Sequence, residues 1–201
     1  LLTIPCTVAL VVIPSALVSV LFERGAFVAS DTQATALATA IYGLGLPAFV
    51  LQKLYQPVFF AREDTRSPFY FALVALVVNA VVAIGLSRYI GFTAAAYGAT
   101  CAGWAMLACL WWGAQRFGSA ASWDAQLRKR SVRILMASLG MGVVVWVTAG
   151  ALEPVLRMDG LRLLGLVVIL LVAVVSYSLA GRLLGAFSLA ELRQMIRRRA
   201  D

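Results

Sequence analysis

Lys53 is the residue whose position most demands a chemical explanation. It lies well inside an apolar stretch, Ala34–Phe59, that carries no other formal charge. An ionisable group at membrane depth is costly and marks a functional position unless it can escape to water. At helical spacing Tyr42, Gly45, Phe49, Gln52, Lys53 and Gln56 share one broad face. That face is polar enough to line a wet cavity, where the ammonium would receive an anionic group. The competing reading is snorkelling. Lys53 is about 13 Å of helix from Arg62, and its stem can carry the amine toward the interface.

Asn79 and Thr100 form a second constellation. Asn79 lies about 16 Å back along one helix from the turn near Ile90, and Thr100 about 15 Å along the next. They therefore sit at similar depth. An interhelical hydrogen bond is one reading. A monovalent cation such as sodium, held by side-chain and backbone oxygens, is the other, although no carboxylate accompanies the pair.

Enzyme chemistry finds no purchase here. The chain has no His, which removes the commonest acid–base group and metal ligand. Glu63 and Asp64 are neighbours in a charged turn and read as solvated. There is no P-loop, no glycine-rich dinucleotide fingerprint and no metal-spaced cysteine set. Cys6, Cys101 and Cys109 all fall within apolar stretches, so they read as small packing residues rather than a disulfide framework. The chain is not expected to be an enzyme or to need a bound cofactor beyond that cation.

The elements that must position these residues are long and apolar. Leu1–Phe22, Ala34–Phe59, Phe69–Leu86, Thr93–Gln115, Ser131–Leu152 and Leu161–Leu184 are each about the length of a bilayer crossing. The chain is 62% hydrophobic and only 13% charged, with a mean hydropathy of +0.91. One soluble core of this size cannot hide so much apolar surface. In lipid the backbone must be satisfied internally, which predicts helices, and the segments do not alternate as barrel strands would. The fold class is all-α, a polytopic transmembrane helical bundle of six spans.

The net charge of +8 is sorted by side rather than gathered in one patch, which argues against nucleic acid. Four Arg (Arg24, Arg88, Arg157 and Arg162) fall in the first, third and fifth gaps or at their edges. Twelve Lys and Arg fall in the second and fourth gaps and the C-terminal segment, counting Arg133 and Arg182 at the adjoining span ends. The positive-inside rule puts the second group, and both ends of the chain, in the cytoplasm.

The stretch 117–130, with Trp123 and a basic cluster, reads as an interfacial cytoplasmic linker at an anionic leaflet. It divides a four-span block, 1–116, from a two-helix hairpin, 131–184. A basic tail, 185–201, follows, in which Ser188–Arg199 reads as a short membrane-surface helix. Pro14 and Pro47 are expected to kink their spans, and Ser30 or Asp31 to cap the second helix. The sequence lacks an initiator Met and starts inside an apolar run, so a C-terminal part of a larger membrane protein is expected.

Several pieces, in order, carry a resemblance. They are Leu21-Phe22-Glu23-Arg24-Gly25-Ala26-Phe27, Asp31-Thr32, Tyr42-Gly43-Leu44-Gly45-Leu46-Pro47, Lys53 to Pro57, and Phe60-Ala61-Arg62-Glu63-Asp64-Thr65-Arg66-Ser67-Pro68. Together they resemble the MurJ (MviN) lipid II flippases of the multidrug/oligosaccharidyl-lipid/polysaccharide flippase superfamily. Beyond Pro68 the likeness rests on span lengths and gap positions.

The resemblance implies a fourteen-helix flippase of the bacterial inner membrane, of which this chain supplies the last six helices. Four belong to the C-terminal lobe and two to a pair that helps hold a polyprenyl tail. It implies alternating access that moves lipid II, a peptidoglycan precursor, from the cytoplasmic to the outer leaflet. Membrane lipids and cell-wall synthesis proteins are the other implied partners. Lys53 becomes a cavity residue, with Gln52, Gln56 and Tyr42 beside it. Asn79 matches one ligand of a sodium site found in some members, with Thr100 as a second, but the acidic position one turn after Asn79 is Ala83. A related polysaccharide-lipid or drug exporter, and a non-transporting scaffold for cell-wall enzymes, are the alternatives.

Overall fold

The computed structural model describes residues 2–23, 29–121, 125–156, 158 and 161–185. Among them there is no strand. The helices are α1 (Thr3–Val12), α2 (Pro14–Phe22), α3 (Ala29–Phe60), α4 (Arg66–Ile90), α5 (Thr93–Ala114), α6 (Ala125–Ala151), α7 (Glu153–Leu156) and α8 (Arg162–Leu183). A 3-10 segment, Gln115–Ala121, extends α5. Five helices, α3, α4, α5, α6 and α8, are each long and apolar enough to cross a membrane. They correspond to the second to sixth expected spans.

The first expected span is broken. Ile13 leaves helical geometry at φ −123° and ψ 39°, and Pro14 opens α2. Proline has no N–H to give the preceding turn, but its fixed φ suits a first helical position. Pro47 behaves differently: α3 runs unbroken through both Pro47 and Pro57.

The chain divides into two compact units. One joins Leu1–Val12 to Trp123–Asp201, and the other is Ile13–Ser122. The division falls inside the 117–130 stretch, but α1 leaves the four-span block to which the sequence assigned it. Packing explains why. Gly142 of α6 has no side chain, and a Cβ there would stand 2.6 Å from Val8 Cγ1. α1 therefore seats closely on α6, in the same unit as α7 and α8. In that unit Arg133 of α6 donates from Nη1 to the Gly185 carbonyl at 3.2 Å, capping the end of α8. α6 also begins earlier than expected, so Lys129 and Arg130 belong to its first turns. α3 begins at Ala29, so Ser30 and Asp31 lie inside its first turn and neither is the N-cap expected from sequence. Trp123 and residues 186–201 of the basic tail lie outside the described residues.

In the Ile13–Ser122 unit α5 is the central helix, packed against both α3 and α4. Half of its most apolar stretch is buried, whereas none of α4's is. Its buried positions are mostly small: Ala94, Ala96, Gly98, Ala102, Gly103, Gly113 and Ala114. Small residues let helix backbones approach where lipid supplies no hydrophobic drive between helices. The turn into α5 is tight because Gly91 takes φ 61°, a conformation open to glycine. On the other side Thr32 of α3 donates its hydroxyl to Glu23 Oε2 at 3.3 Å, closing the α2–α3 hairpin.

Candidate functional site

The long helix α3 presents two different faces. Toward α5 it packs and hydrogen-bonds. Gln52 donates its amide N–H to the Gly103 carbonyl at 2.7 Å. Thr100 of α5 donates its hydroxyl to the Ile41 carbonyl at 2.9 Å, and Trp104 donates its indole N–H to the Leu44 carbonyl at 3.1 Å. These three bonds bracket Pro47, whose missing N–H loosens this part of the α3 ladder. Phe49 fills the space between: a Cβ on Gly103 would lie 2.7 Å from its ring, and one on Gly45 2.9 Å.

The other face stays open. Tyr42 is 44% exposed, and Val50, Lys53 and Phe60 follow it at helical spacing, all exposed. Among the described residues Lys53 has no hydrogen-bond or ion-pair partner. It stands about 10 Å of helix short of the α3 terminus at Phe60.

The broad polar face expected from spacing is therefore divided. Gly45, Phe49 and Gln52 belong to the α3–α5 seam. Tyr42 and Lys53 remain on the exposed stripe, and Gln56 is half-buried between. The amide of Gln52 is committed to a backbone carbonyl, which corrects its placement beside Lys53 in an open cavity.

Asn79 and Thr100 are not brought together. Asn79 lies against Gly98, where a Cβ would come within 2.6 Å of its Oδ1. That places it on the α4–α5 seam, whereas Thr100 is bonded across the α3–α5 seam. A hard cation needs several oxygens converging on one point. This pair does not converge, so it does not fit a sodium ion.

Sequence reasoning missed a polar clasp at the α3–α4 turn. Asp64 accepts the Ser67 backbone N–H at 3.0 Å and the Ser67 hydroxyl at 2.7 Å. Arg116, just past α5, donates from Nη2 to Asp64 Oδ2 at 3.2 Å and to Ser67 Oγ at 2.6 Å. Its Nε donates to the Gly113 carbonyl at 2.9 Å. The Ser67 N–H, then the Ser67 hydroxyl, hold the Asp64 carboxyl below its usual range; desolvation opposes them, and the Arg116 charge is a lesser lowering effect.

Aromatic rings complete the clasp. Phe59 is fully buried with Leu110 and Ala114, and its ring meets Phe71 and Phe117 edge-on at 5.9 and 5.3 Å. The Arg62 guanidinium lies 4.4 Å above the Phe117 ring. The signal available in sequence was the three-residue step from Asp64 to Ser67, a common local capping pattern.

Comparison with known proteins agrees with this architecture. The profile of the family described as lipid II flippase MurJ matches residues 1–157. A probable lipid II flippase MurJ of Rhizobium tropici is 35% identical over 98% of this chain and 38% of its own length. One from Rhizobium meliloti (strain 1021) is 35% identical over all of this chain, again 38% of its own length. A solved structure of a lipid II flippase MurJ in an inward closed conformation superposes with a TM-score of 0.69. It is 22% identical and covers 90% of this chain and 36% of that one, so it speaks to the fold. The chain thus spans 38% of the length of these relatives. With its apolar helices it is a multi-pass membrane protein, and it belongs to the MurJ lipid II flippase family, a family of lipid transporters rather than of catalytic enzymes.

Proposed function

We propose that this chain is the six-span part of a transporter that carries lipid II from the cytoplasmic to the outer leaflet of the bacterial inner membrane by alternating access. The family match supports the substrate. The observation in the structure that carries the reading is Lys53, an unpartnered ammonium on the exposed stripe of a span. A charge left unpaired at that depth is costly unless an anion meets it during the working cycle. The diphosphate of a polyprenyl-linked precursor is such an anion. Tyr42 shares the stripe about 16 Å further along the helix, far enough to meet a different part of a long substrate. In this reading Arg62, Arg66 and Arg116 mark the cytoplasmic side, by the charge bias between gaps.

The test uses the full-length gene in a bacterium depleted of its own lipid II flippase. Lipid II headgroup accessible outside the inner membrane is measured for the wild type, Lys53→Ala and Lys53→Arg at matched membrane levels. Wild type restores exposure, the alanine variant loses most of it, and the arginine variant retains a large share. No exposure from well-expressed wild type would overturn the flippase reading in favour of an exporter or scaffold. Full activity of Lys53→Ala would return Lys53 to snorkelling while leaving the function in place.

A further inference from the structure

A second polar feature opens on the clasp itself. Ser67, Tyr70 and Phe71 of α4 face Trp112 and Gly113 of α5, with Gln115 and Arg116 beyond them. Together they line an open cleft of about 450 Å³ at one end of the helix pair. Its walls differ in character. Tyr70 is 62% exposed and Trp112 73% exposed, two amphipathic rings at the ends of membrane spans. Phe71 forms an apolar wall. It approaches because Gly113 has no side chain, and a Cβ there would stand 2.8 Å from the Phe71 ring. Ser67, Gln115 and Arg116 supply the polar end.

Arg116 is held in place rather than free to search. Its Nε is fixed by the Gly113 carbonyl and its Nη2 by Asp64 and Ser67. Its side chain remains 51% exposed, and Nη1 has no partner among the described residues. A guanidinium oriented on one edge and open on the other is suited to a phosphate oxygen. The surrounding sequence favours an anion too: Arg62, Arg66 and Arg116 outnumber Glu63 and Asp64.

We propose that this cleft binds an anionic glycerophospholipid. Its phosphodiester lies on Arg116 Nη1, and its glycerol and upper acyl chain pass between Tyr70 and Trp112. The aromatic walls select a lipid over free phosphate. Tyr and Trp sit at headgroup depth because one end of the ring is apolar and the other polar. A free inorganic anion makes no use of them. The Asp64 carboxylate fixes the guanidinium but also offsets part of its charge, so bound lipid and Asp64 compete for the same cation.

Full-length protein is purified and presented with equal amounts of dioleoyl phosphatidylglycerol and dioleoyl phosphatidylethanolamine, and retained lipid is counted by native mass spectrometry. The wild type retains phosphatidylglycerol preferentially. Arg116→Gln lowers that retention roughly tenfold, the loss of one charge-assisted hydrogen bond. Trp112→Ala, which leaves the clasp intact, lowers it several-fold. Asp64→Asn raises it by removing the competing charge, a direction that loss of clasp structure does not produce. Arg133→Gln, in the other unit, leaves it unchanged. Equal retention of both lipids by the wild type overturns the proposal, as does unchanged selectivity in both Arg116→Gln and Trp112→Ala. Displacement by inorganic phosphate would reassign the cleft to a free anion. Displacement by equimolar undecaprenyl diphosphate would reassign it to the transported substrate.

Discussion

Asp64 and Arg116 lie 52 positions apart in sequence, yet Arg116 Nη2 stands 3.2 Å from Asp64 Oδ2. Ser67 sits between them, donating its hydroxyl to the carboxylate and accepting from the guanidinium. The turn after α3 is thereby tied to the end of α5 by side chains rather than by helix packing alone. An exposed ion pair on its own contributes little. Here the pair is embedded in a network with the buried Phe59 beneath it. Arg116→Ala is expected to release the turn, with amide exchange in peptide 61–68 rising several-fold over wild type. Exchange in α4 beyond Leu73 stays as it is. Uniform acceleration along α4 would show that the clasp holds the helix rather than the turn.

The same network sets a pH dependence. Asp64 is held below its ordinary value of 3.8, first by the Ser67 N–H and next by the Ser67 hydroxyl. A lowered folded-state pKa stabilises above the unfolded value, and that contribution is lost as pH falls through the folded one. Protection of peptide 61–68, corrected for intrinsic exchange rates, should therefore be flat from neutral pH down to about 4. It should fall only below that. Asp64→Asn should give a flat profile throughout. A loss of protection beginning near pH ~6 would point to a different titrating group.

Glycines on α5 differ in what their absent side chains protect. A Cβ on Gly98 would stand 2.6 Å from Asn79 Oδ1 and 2.9 Å from the Asn79 backbone oxygen. Backbone cannot yield as a side-chain tip can, so Gly98→Ala should separate α4 from α5. A cost of about 1–3 kcal/mol is typical of such overpacking. Gly103→Ala drives Phe49 off the seam, and the ring has little room to retreat because it also lies over Gly45. Gly85 of α4 has open space around its Cβ position, so Gly85→Ala should be neutral or stabilising, since alanine favours helix. Thermal unfolding midpoints of full-length protein in one detergent check the order: Gly98→Ala and Gly103→Ala lower, Gly85→Ala equal or higher.

The long helices were legible because lipid leaves the backbone few choices. A run of about 20 apolar residues must be a helix there, and α3, α4, α5, α6 and α8 all answer to such runs. Pro14 was visible as a breaker, but not the transfer of α1 to α6, which depends on Gly142 accepting Val8. Polar residues inside spans were visible by type and not by use. Gln52 looks the same in sequence whether it faces a cavity or spends its amide on Gly103. Trp104 looks like lipid-facing bulk until its indole meets the Leu44 carbonyl. Arg116 was counted only as a positive charge, because Asp64 and Ser67 lie 52 and 49 positions away in sequence. Lys53 and Tyr42 share the exposed stripe of α3, a placement that spacing alone does not distinguish from the α3–α5 seam.

Asn79 and Thr100 supply the sharpest separation between pattern and geometry. Their equal depth suggests a shared ligand, but Thr100 gives its hydroxyl to Ile41 and Asn79 packs on Gly98. Position 83, one helical turn after Asn79, is alanine, so no carboxylate completes a cation shell. Both residues are thus expected to act on helix packing. Thr100→Val keeps the volume but removes the donor, lowering stability by about 1 kcal/mol, as for one interhelical hydrogen bond. Asn79→Ala loosens the α4–α5 seam. Thermal stability of wild type and both variants is measured in sodium chloride and in choline chloride at equal ionic strength. The expected result is the same small shift, or none, for all three proteins on exchanging the cation. A sodium-specific rise in wild type that disappears in both variants would instead make the two residues ligands of one ion, and would require α5 to rotate Thr100 away from Ile41 when that ion binds.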